Sequence, residues 1–463
     1  MEHRMLNQEF VAKIEALLGK DRCSFSPEDL VAYSYDANPE KRAQGEGVVS
    51  PKDKEEVAAI LKLAYEYEVP VTPRGGGSGY TGGCVPVGGG IVMAMDRFNK
   101  ILEIDADNYL VIVEPGVVTK DLQAAVDKIG LMYPPDPAST AFSTIGGNIA
   151  ENAGGIRAVK YGVTKHYVMG LEVVLPNGDI VKTGSKCIKD VAGYNLTELF
   201  VGSEGTLGVI TKAVVKVVPK PEARRTMTAT FSSLEKAAEA VKAIYATGVR
   251  PATMEFLDRI SVEAVEKAIS FGAKPEEGAL LLIEVDGAEL ALTPDVEKIE
   301  GACKKCGVIT FRKAETYEER EALWAARRAL SFALTEIATE WEDDDVSVPI
   351  ARIPQMIRKL DEIAERHDII IANFGHYGDG NIHIGMTTGK SGRPFPMVAK
   401  EEVVQAVVEL EGRIAAEHGI GCVKVENLHW NIDGPTMAMM RRFKNLFDPK
   451  GLLNPGKVIP SED

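Results

Sequence analysis

Two of the chain's seven histidines bracket a short polar run, HYGDGNIH from His376 to His383, in a pattern suited to holding a metal ion. The flanking runs, Ile369 to His376 and Ile382 to Thr387, are strand-like, and Asp-Gly is the preferred pair for a two-residue hairpin turn. With Asp379 and Gly380 as that turn, Gly378 pairs with Asn381, Tyr377 with Ile382 and His376 with His383. The imidazoles then share one face with Cβ atoms about 5 Å apart. Glu417, in AAEHGIG, adds a carboxylate, and two histidines with one carboxylate accept one divalent metal (Zn, Mn or Fe) with positions left open for substrate. Spacing alone leaves the alternative open: a plain cross-strand pair and a surface glutamate.

The second chemistry lies in backbone rather than side chains. Pro73 to Gly83 reads PRGGGSGYTGG after a strand-like VPVTP, and such a loop can turn several N–H groups toward a pyrophosphate, with Arg74 adding a cation. Gly77, Gly79 and Gly82 even satisfy the dinucleotide pattern G-x-G-x-x-G. That pattern requires its last glycine to open a helix, which Gly83, Pro86 and Gly88 to Gly90 forbid, so a Rossmann unit is excluded on context. TIGGNIAENAGG (Thr144 to Gly155) and GSEGTLG (Gly202 to Gly208) are further glycine-rich segments. Taken singly, each is equally a tight turn.

Taken together, in order and spacing, these segments resemble the vanillyl-alcohol-oxidase type of FAD-linked oxidoreductase. The branch is that of D-lactate dehydrogenases, D-2-hydroxyglutarate dehydrogenases and the flavin subunit of glycolate oxidase. The resemblance runs from about Val48 to Pro460 and includes LLNPGK at Leu452 to Lys457. It implies FAD contacts at Arg74, Gly75, Gly76, Gly77, Ser78 and Gly79, at Asp136, and at Ser143, Thr144, Gly147 and Asn148. It extends them to Asn152, Gly154 and Gly155, to Glu204, Gly208, Val209 and Ile210, and to Asn454. Some relatives attach FAD covalently through a histidine in the first loop; this loop has none, so the flavin is expected to be non-covalent.

The most specific motifs of that family are HxGDGNxH and EHGxG. Carried over, they make His376, His383 and Glu417 the metal ligands and His418 the catalytic base. Arg327, in LWAARRAL, matches the arginine that grips the substrate carboxylate, with Arg328 the alternative if the register slips by one. The implied reaction is oxidation of a small D-2-hydroxy acid, with the α-hydrogen leaving as hydride to flavin N5 and a metal favouring substrates that chelate it. A helix C-terminus would keep His418 protonated while a nearby dication works the other way, and the dication is expected to dominate. Glu340 to Asp345 departs from relatives that handle a second carboxylate, which place a lysine near Asp343. These acids favour a monocarboxylate such as D-lactate or glycolate.

The elements that must position these groups follow from periodicity. Val57, Ile60, Leu61 and Ala64 predict a helix over 54–66, and strands are predicted at 90–95, 109–113, 171–175 and 209–218. Beyond Pro219 and Pro221 glycine becomes sparser, with helices predicted at 234–247, 317–337 and 402–418 and strands at 279–285 and 369–374. Val403, Val407, Leu410 and Ile414 line one face of the last helix, and Gly419 is placed to end it. The fold class is α+β: an FAD-binding domain over 1–220, an α/β substrate (cap) domain with the metal hairpin over 221–410, and a segment over 411–463 returning to the FAD domain.

A chain of 463 residues with 45% hydrophobic and 26% charged residues can build two or three cores, and its net charge of −15 argues against nucleic acid as a partner. No stretch approaches the roughly 20 apolar residues of a transmembrane segment, and the start lacks a signal-peptide core. Six scattered cysteines suit a reducing compartment; the Cys303/Cys306 pair has a CxxC spacing open to redox or metal chemistry, but in a polar helical stretch with no second pair it reads as ordinary helix residues. A cytoplasmic protein, or one held at the membrane periphery by a partner, is expected. Its electrons would pass to a quinone or to an acceptor protein such as an electron-transferring flavoprotein, an iron–sulfur subunit or a cytochrome. The rivals are a same-fold oxidase using oxygen, an ether-lipid synthase, which would need neither histidine motif, and a non-catalytic electron-relay subunit, which could discard the metal ligands kept here.

Overall fold

The computed structural model describes residues 6–38, 41–269, 272, 274, 277–338 and 340–460. The chain forms two compact units. The first runs to Gly154 and takes in Val163–Lys220 and everything from His418 onward; the second comprises Gly155–Gly162 and Pro221–Glu417.

In the first unit the helix Lys54–Tyr67 starts where the Asp53 side chain accepts the Glu56 N–H and stops at Glu68, whose φ of 55° breaks the helical run. Val57, Ile60, Leu61 and Ala64 are buried, as their spacing predicts, against Val71, Ile91 and Met93. Those residues belong to a small sheet in which Gly47–Val49, Ile91–Ala94 and Val71–Arg74 run parallel. The C-terminal segment closes back on this sheet: Val71 donates to Leu452 and accepts from Asn454. A second, antiparallel sheet orders Ile101–Asp105, Leu110–Val113, Val209–Lys216, Val168–Val174 and Ile180–Gly184.

The described residues of the second unit form a seven-stranded antiparallel sheet. Its order is Thr310–Lys313, Ala223–Phe231, Ala279–Gly287, Thr253–Asp258, Ile370–His376, Asn381–Thr387 and Glu342–Ser347. Period two assigns its faces. Ala279, Leu281, Ile283 and Val285 pack with Met227, Ala229, Phe231, Met254 and Phe256 under the helices Leu234–Ala246, Glu289–Lys305, Ile353–His367 and Met397–Glu409. Leu280, Leu282 and Leu257 face the other way, against Val262, Val265, Trp324 and Leu330 of two further helices. That second face also carries Glu255, Glu284 and Asp286. The short excursion 155–162 is tied to it by Lys160, which pairs with Asp286, and by Tyr161, whose hydroxyl donates to the same carboxylate at 2.8 Å.

Two local expectations are corrected. The predicted helix over 402–418 ends at Glu409; Leu410 closes it and Glu411 turns at φ 62°. The chain leaves because Arg413 pairs with Ser347, and Gly412 lies so close that a Cβ there would meet the Ser347 carbonyl oxygen at 2.5 Å. Glu417 and His418 therefore sit on irregular backbone, and the helix-terminus argument for His418 lapses. The hairpin is also offset: Phe374, not His376, pairs with His383, and residues 377–380 make a four-residue turn. An offset of two preserves the face, whereas one residue would have reversed it.

Candidate active site

The first glycine loop leaves the strand Val71–Arg74 with its amides turned outward. Among the described residues, no N–H from Gly75 through Gly79 donates to a protein acceptor. Gly75 and Gly76 are exposed, and a Cβ on either would strike the next loop, meeting Thr144 Oγ1 at 2.4 Å or the Phe142 carbonyl oxygen at 2.1 Å. Free amides on a tightly backed loop suit an anionic diphosphate. Arg74 itself is turned elsewhere: it donates to the Tyr35 carbonyl at 2.8 Å and the Cys84 sulfur at 3.2 Å, so its guanidinium holds the loop.

The second loop is ordered from within. Thr144 caps the short helix Ile145–Glu151 by accepting the Gly147 N–H, and Asn148 donates to Thr119, whose hydroxyl meets that of Ser143. Asn152 is left-handed and accepts the Lys165 N–H. Gly154 and Gly155 straddle the passage from one unit to the other. Asp136 accepts from Gln123 at 3.2 Å. In the third loop Gly208 packs on Val173, and Val209 and Ile210 enter the strand beside Val174 and Val173.

Glu204 is buried with φ 49°, and its carboxylate accepts the N–H groups of Ile420 and Gly421 at 2.9 and 2.8 Å. Burial raises its pKa against these bonds. Asn454 donates to the carbonyls of Gly83 and Glu204. The same frame fixes His418: the Thr81 hydroxyl donates to its carbonyl at 2.9 Å, and its ring lies 5.1 Å from that of Tyr80. Gly419 has φ +78°, and a Cβ there would fall 1.7 Å from Glu151 Oε1.

In the second unit, Glu417 Oε1 is 3.3 Å from His376 Nε2 and 3.4 Å from His383 Nε2, and the two rings are 5.4 Å apart. Donors bonded at roughly 2.1 Å to a tetrahedral ion are separated by about 3.4 Å, which matches the separation of each imidazole nitrogen from the Glu417 oxygen. Asp345, which the sequence reading missed, has His383 and Glu417 as fellow members of a set of donor atoms within 4.8 Å of one another, a set that does not include His376. It is 1% exposed, 3.5 Å from His383 Nδ1, and accepts from Asn381 and from the N–H groups of Ala416 and Glu417. Its sequence signal was alternation with the buried Val346 on a strand that an acidic run conceals.

The electrostatics are those of a site with fixed charges. Burial works against the charge on His376, but Glu255 and Glu417 outweigh it and hold its pKa well above the ordinary value. Burial likewise opposes ionisation of Glu417, and His376 and His383 overcome it, leaving that carboxyl well below the usual range. A cation binding here would displace the proton of His376. Arg327 is half-buried, with Nε 2.9 Å from Glu255 Oε2 and its guanidinium over the Phe374 ring. Arg328 is exposed and pairs with Glu321. Cys303 is buried and its thiol pushed up to about 12 by desolvation, in keeping with a packing role.

Residues 45–184 match the FAD binding domain family and residues 220–458 the family of FAD linked oxidases, C-terminal domain. The chain is 42% identical over 461 residues to glycolate oxidase subunit GlcD of Bacillus subtilis (strain 168), covering 99% of this chain and 98% of that protein. It is 37% identical over 439 residues to a D-lactate dehydrogenase of Archaeoglobus fulgidus, covering 94% and 96%. Among solved structures, p-cresol methylhydroxylase aligns over 98% of this chain and 97% of its own with a TM-score of 0.77 at 17% identity. An alkyldihydroxyacetonephosphate synthase aligns over 98% and 86%, with 0.77 at 20%. At those identities the likeness speaks for the fold alone. The chain thus belongs to the FAD-linked oxidoreductases of the vanillyl-alcohol-oxidase type, in the branch of glycolate oxidase subunit GlcD and D-lactate dehydrogenase.

Proposed function

We propose that the protein oxidises a small D-2-hydroxy acid, of the D-lactate or glycolate type, to the 2-oxo acid and passes the electrons to a separate acceptor. The observation that carries this reading is the pair of imidazole nitrogens within 3.3–3.4 Å of one Glu417 oxygen, with His376 linked through Glu255 to Arg327, whose terminal amines have no partner among the described residues. FAD supplies a hydride acceptor at N5, and a divalent cation held by His376, His383 and Glu417, with Asp345 beside them, supplies a Lewis acid for the substrate hydroxyl. Arg327 binds the substrate carboxylate through the amines that Glu255 leaves unengaged. His418, held by Thr81, takes the hydroxyl proton. Asp343, on the strand face of Asp345, repels a second carboxylate.

The glycine loop holds FAD without a covalent link. The acceptor is a quinone or a partner protein, in line with the description of two relatives as subunits of a glycolate oxidase. No helix among the described residues is long and apolar enough to cross a membrane. Six free cysteines fit a cytoplasmic setting or one at the membrane periphery. Anaerobic mixing of the purified yellow protein with a panel of D- and L-2-hydroxy acids tests the reading: D-lactate or glycolate should bleach the flavin, and bleaching by none of the panel would refute it.

A further inference from the structure

Glu255 was not singled out by any sequence pattern, yet it lies at the centre of the second unit's site. It stands in the strand Thr253–Asp258, directly opposite His376 in the antiparallel register, and is 0% exposed. One oxygen is 2.6 Å from His376 Nδ1 and the other 2.9 Å from Arg327 Nε. A buried carboxylate is tolerated only where its oxygens are matched by donors, and these two partners match both.

The chemistry of the pair of contacts is specific. With Glu255 engaging Nδ1, the Nε2 of His376 is left to face Glu417 Oε1, 3.3 Å away. Such an outer carboxylate fixes both tautomer and ring orientation for a metal-binding imidazole. The second oxygen takes the Nε edge of Arg327, whose terminal amines have no partner among the described residues and whose plane rests 5.3 Å from the Phe374 ring centroid.

Building on the function proposed above, we infer that Glu255 is a positioning residue that couples the metal ligand His376 to the carboxylate-binding Arg327, so that one side chain sets both metal affinity and substrate affinity. It touches neither substrate nor cofactor. A purely structural glutamate would change stability alone, whereas a coupling one moves two binding constants together.

The test uses the FAD-loaded protein and three variants, Glu255→Gln, Glu255→Asp and His376→Ala, with FAD content and Tm recorded for each. Zn²⁺ and Mn²⁺ dissociation constants come from chelator competition without substrate, and KM and kcat from anaerobic flavin reduction by D-lactate or glycolate. Glu255→Gln should bind metal about 10- to 100-fold more weakly, the usual cost of losing an outer partner, and should raise KM about tenfold. Glu255→Asp keeps the charge but cannot span both partners, so it should restore one constant and not both. If Glu255→Gln fails to fold, the aspartate variant decides: parental values for both constants overturn the inference. A lowered Tm with parental metal binding and KM also overturns it. His376→Ala separates the two levels: metal lost there but kept in both Glu255 variants removes only the role of Glu255. Metal kept at parental affinity in His376→Ala refutes the metal site itself, and the coupling with it.

Discussion

In the first unit the groups proposed to hold the ligand are main-chain amides, five in a row from Gly75 to Gly79, and the side chains around them mostly hold loops together. In the second the proposed ligands are side chains, His376 and His383 on one face of an antiparallel sheet, Glu417 on irregular backbone and Arg327 on a helix, braced by Glu255 and Asp345. The contrast follows from what each must hold. A diphosphate is large and uniformly anionic, and a row of N–H groups suits it whatever the side chains are. A cation and a hydroxy acid need particular donor atoms at particular separations, which a rigid scaffold and buried bracing carboxylates supply. A lesion in the first region should act through backbone shape, and one in the second through donor identity.

The sharpest break is a crossed pair of substitutions. His383→Ala should abolish turnover and empty the metal site while leaving FAD in place, since His383 faces Glu417. Gly76→Ala should do the opposite, because its Cβ would lie 2.1 Å from the Phe142 carbonyl oxygen and must spread the two loops. FAD content should fall with metal content kept. In the parent protein, acid precipitation should release all the yellow colour; colour left in the pellet would contradict non-covalent binding. Elemental analysis and absorbance read both variants, and loss of both groups together in either one would collapse the distinction.

His418 belongs to the first unit by its contacts and to the second by its covalent neighbour Glu417, so it tests where the division falls. His418→Asn should keep FAD and metal and slow flavin reduction by roughly 10²- to 10⁴-fold, the range for a positioned base. Glu417→Gln should weaken metal retention instead. Substrate deuterated at Cα should show a primary isotope effect wherever hydride transfer limits the step. A metal-replete His418→Asn variant that reduces its flavin at the parental rate takes His418 out of the mechanism.

The two regions also differed in how much of them could be read in advance. The glycine segments were legible because close approach and positive φ demand glycine at fixed places, and the helix 54–67 because its burial has period 3.6. The hairpin was legible only modulo its turn: the two-residue Asp-Gly loop gave way to four residues, and the histidines still shared a face because the error was even. Asp345 and Glu255 were not found, since their meaning comes from strands far away in sequence, Asn381–Thr387 and Ile370–His376. A trace was there in Glu255, a charge flanked by the apolar Met254, Phe256 and Leu257. The helix over 402–418 failed because apolar spacing continues through Ile414 after the backbone has already left to pair with Ser347.

The smallest expected effect concerns Asp343, the residue that should set substrate size. It is exposed, yet the protein around it desolvates the carboxyl enough to push it up to about 6, with Lys400 and His383 pulling it down. The folded protein thus holds this proton more tightly than the unfolded chain, whose aspartates titrate near 3.8. The group favours the folded state most below that lower value, and the contribution is lost as pH rises through about 6. For function the sign is the same: above pH 6 the carboxylate is charged and repels a dicarboxylate such as D-malate, and below it the repulsion fades. KM for D-malate should therefore fall as pH drops through about 6, while KM for D-lactate changes less. Asp343→Asn should flatten that difference and improve D-malate about tenfold at pH 7, a modest figure because solvent screens an exposed charge. Steady-state kinetics with both substrates from pH 5 to 8 make the comparison, and an unchanged D-malate profile in Asp343→Asn would remove charge repulsion from the account of specificity.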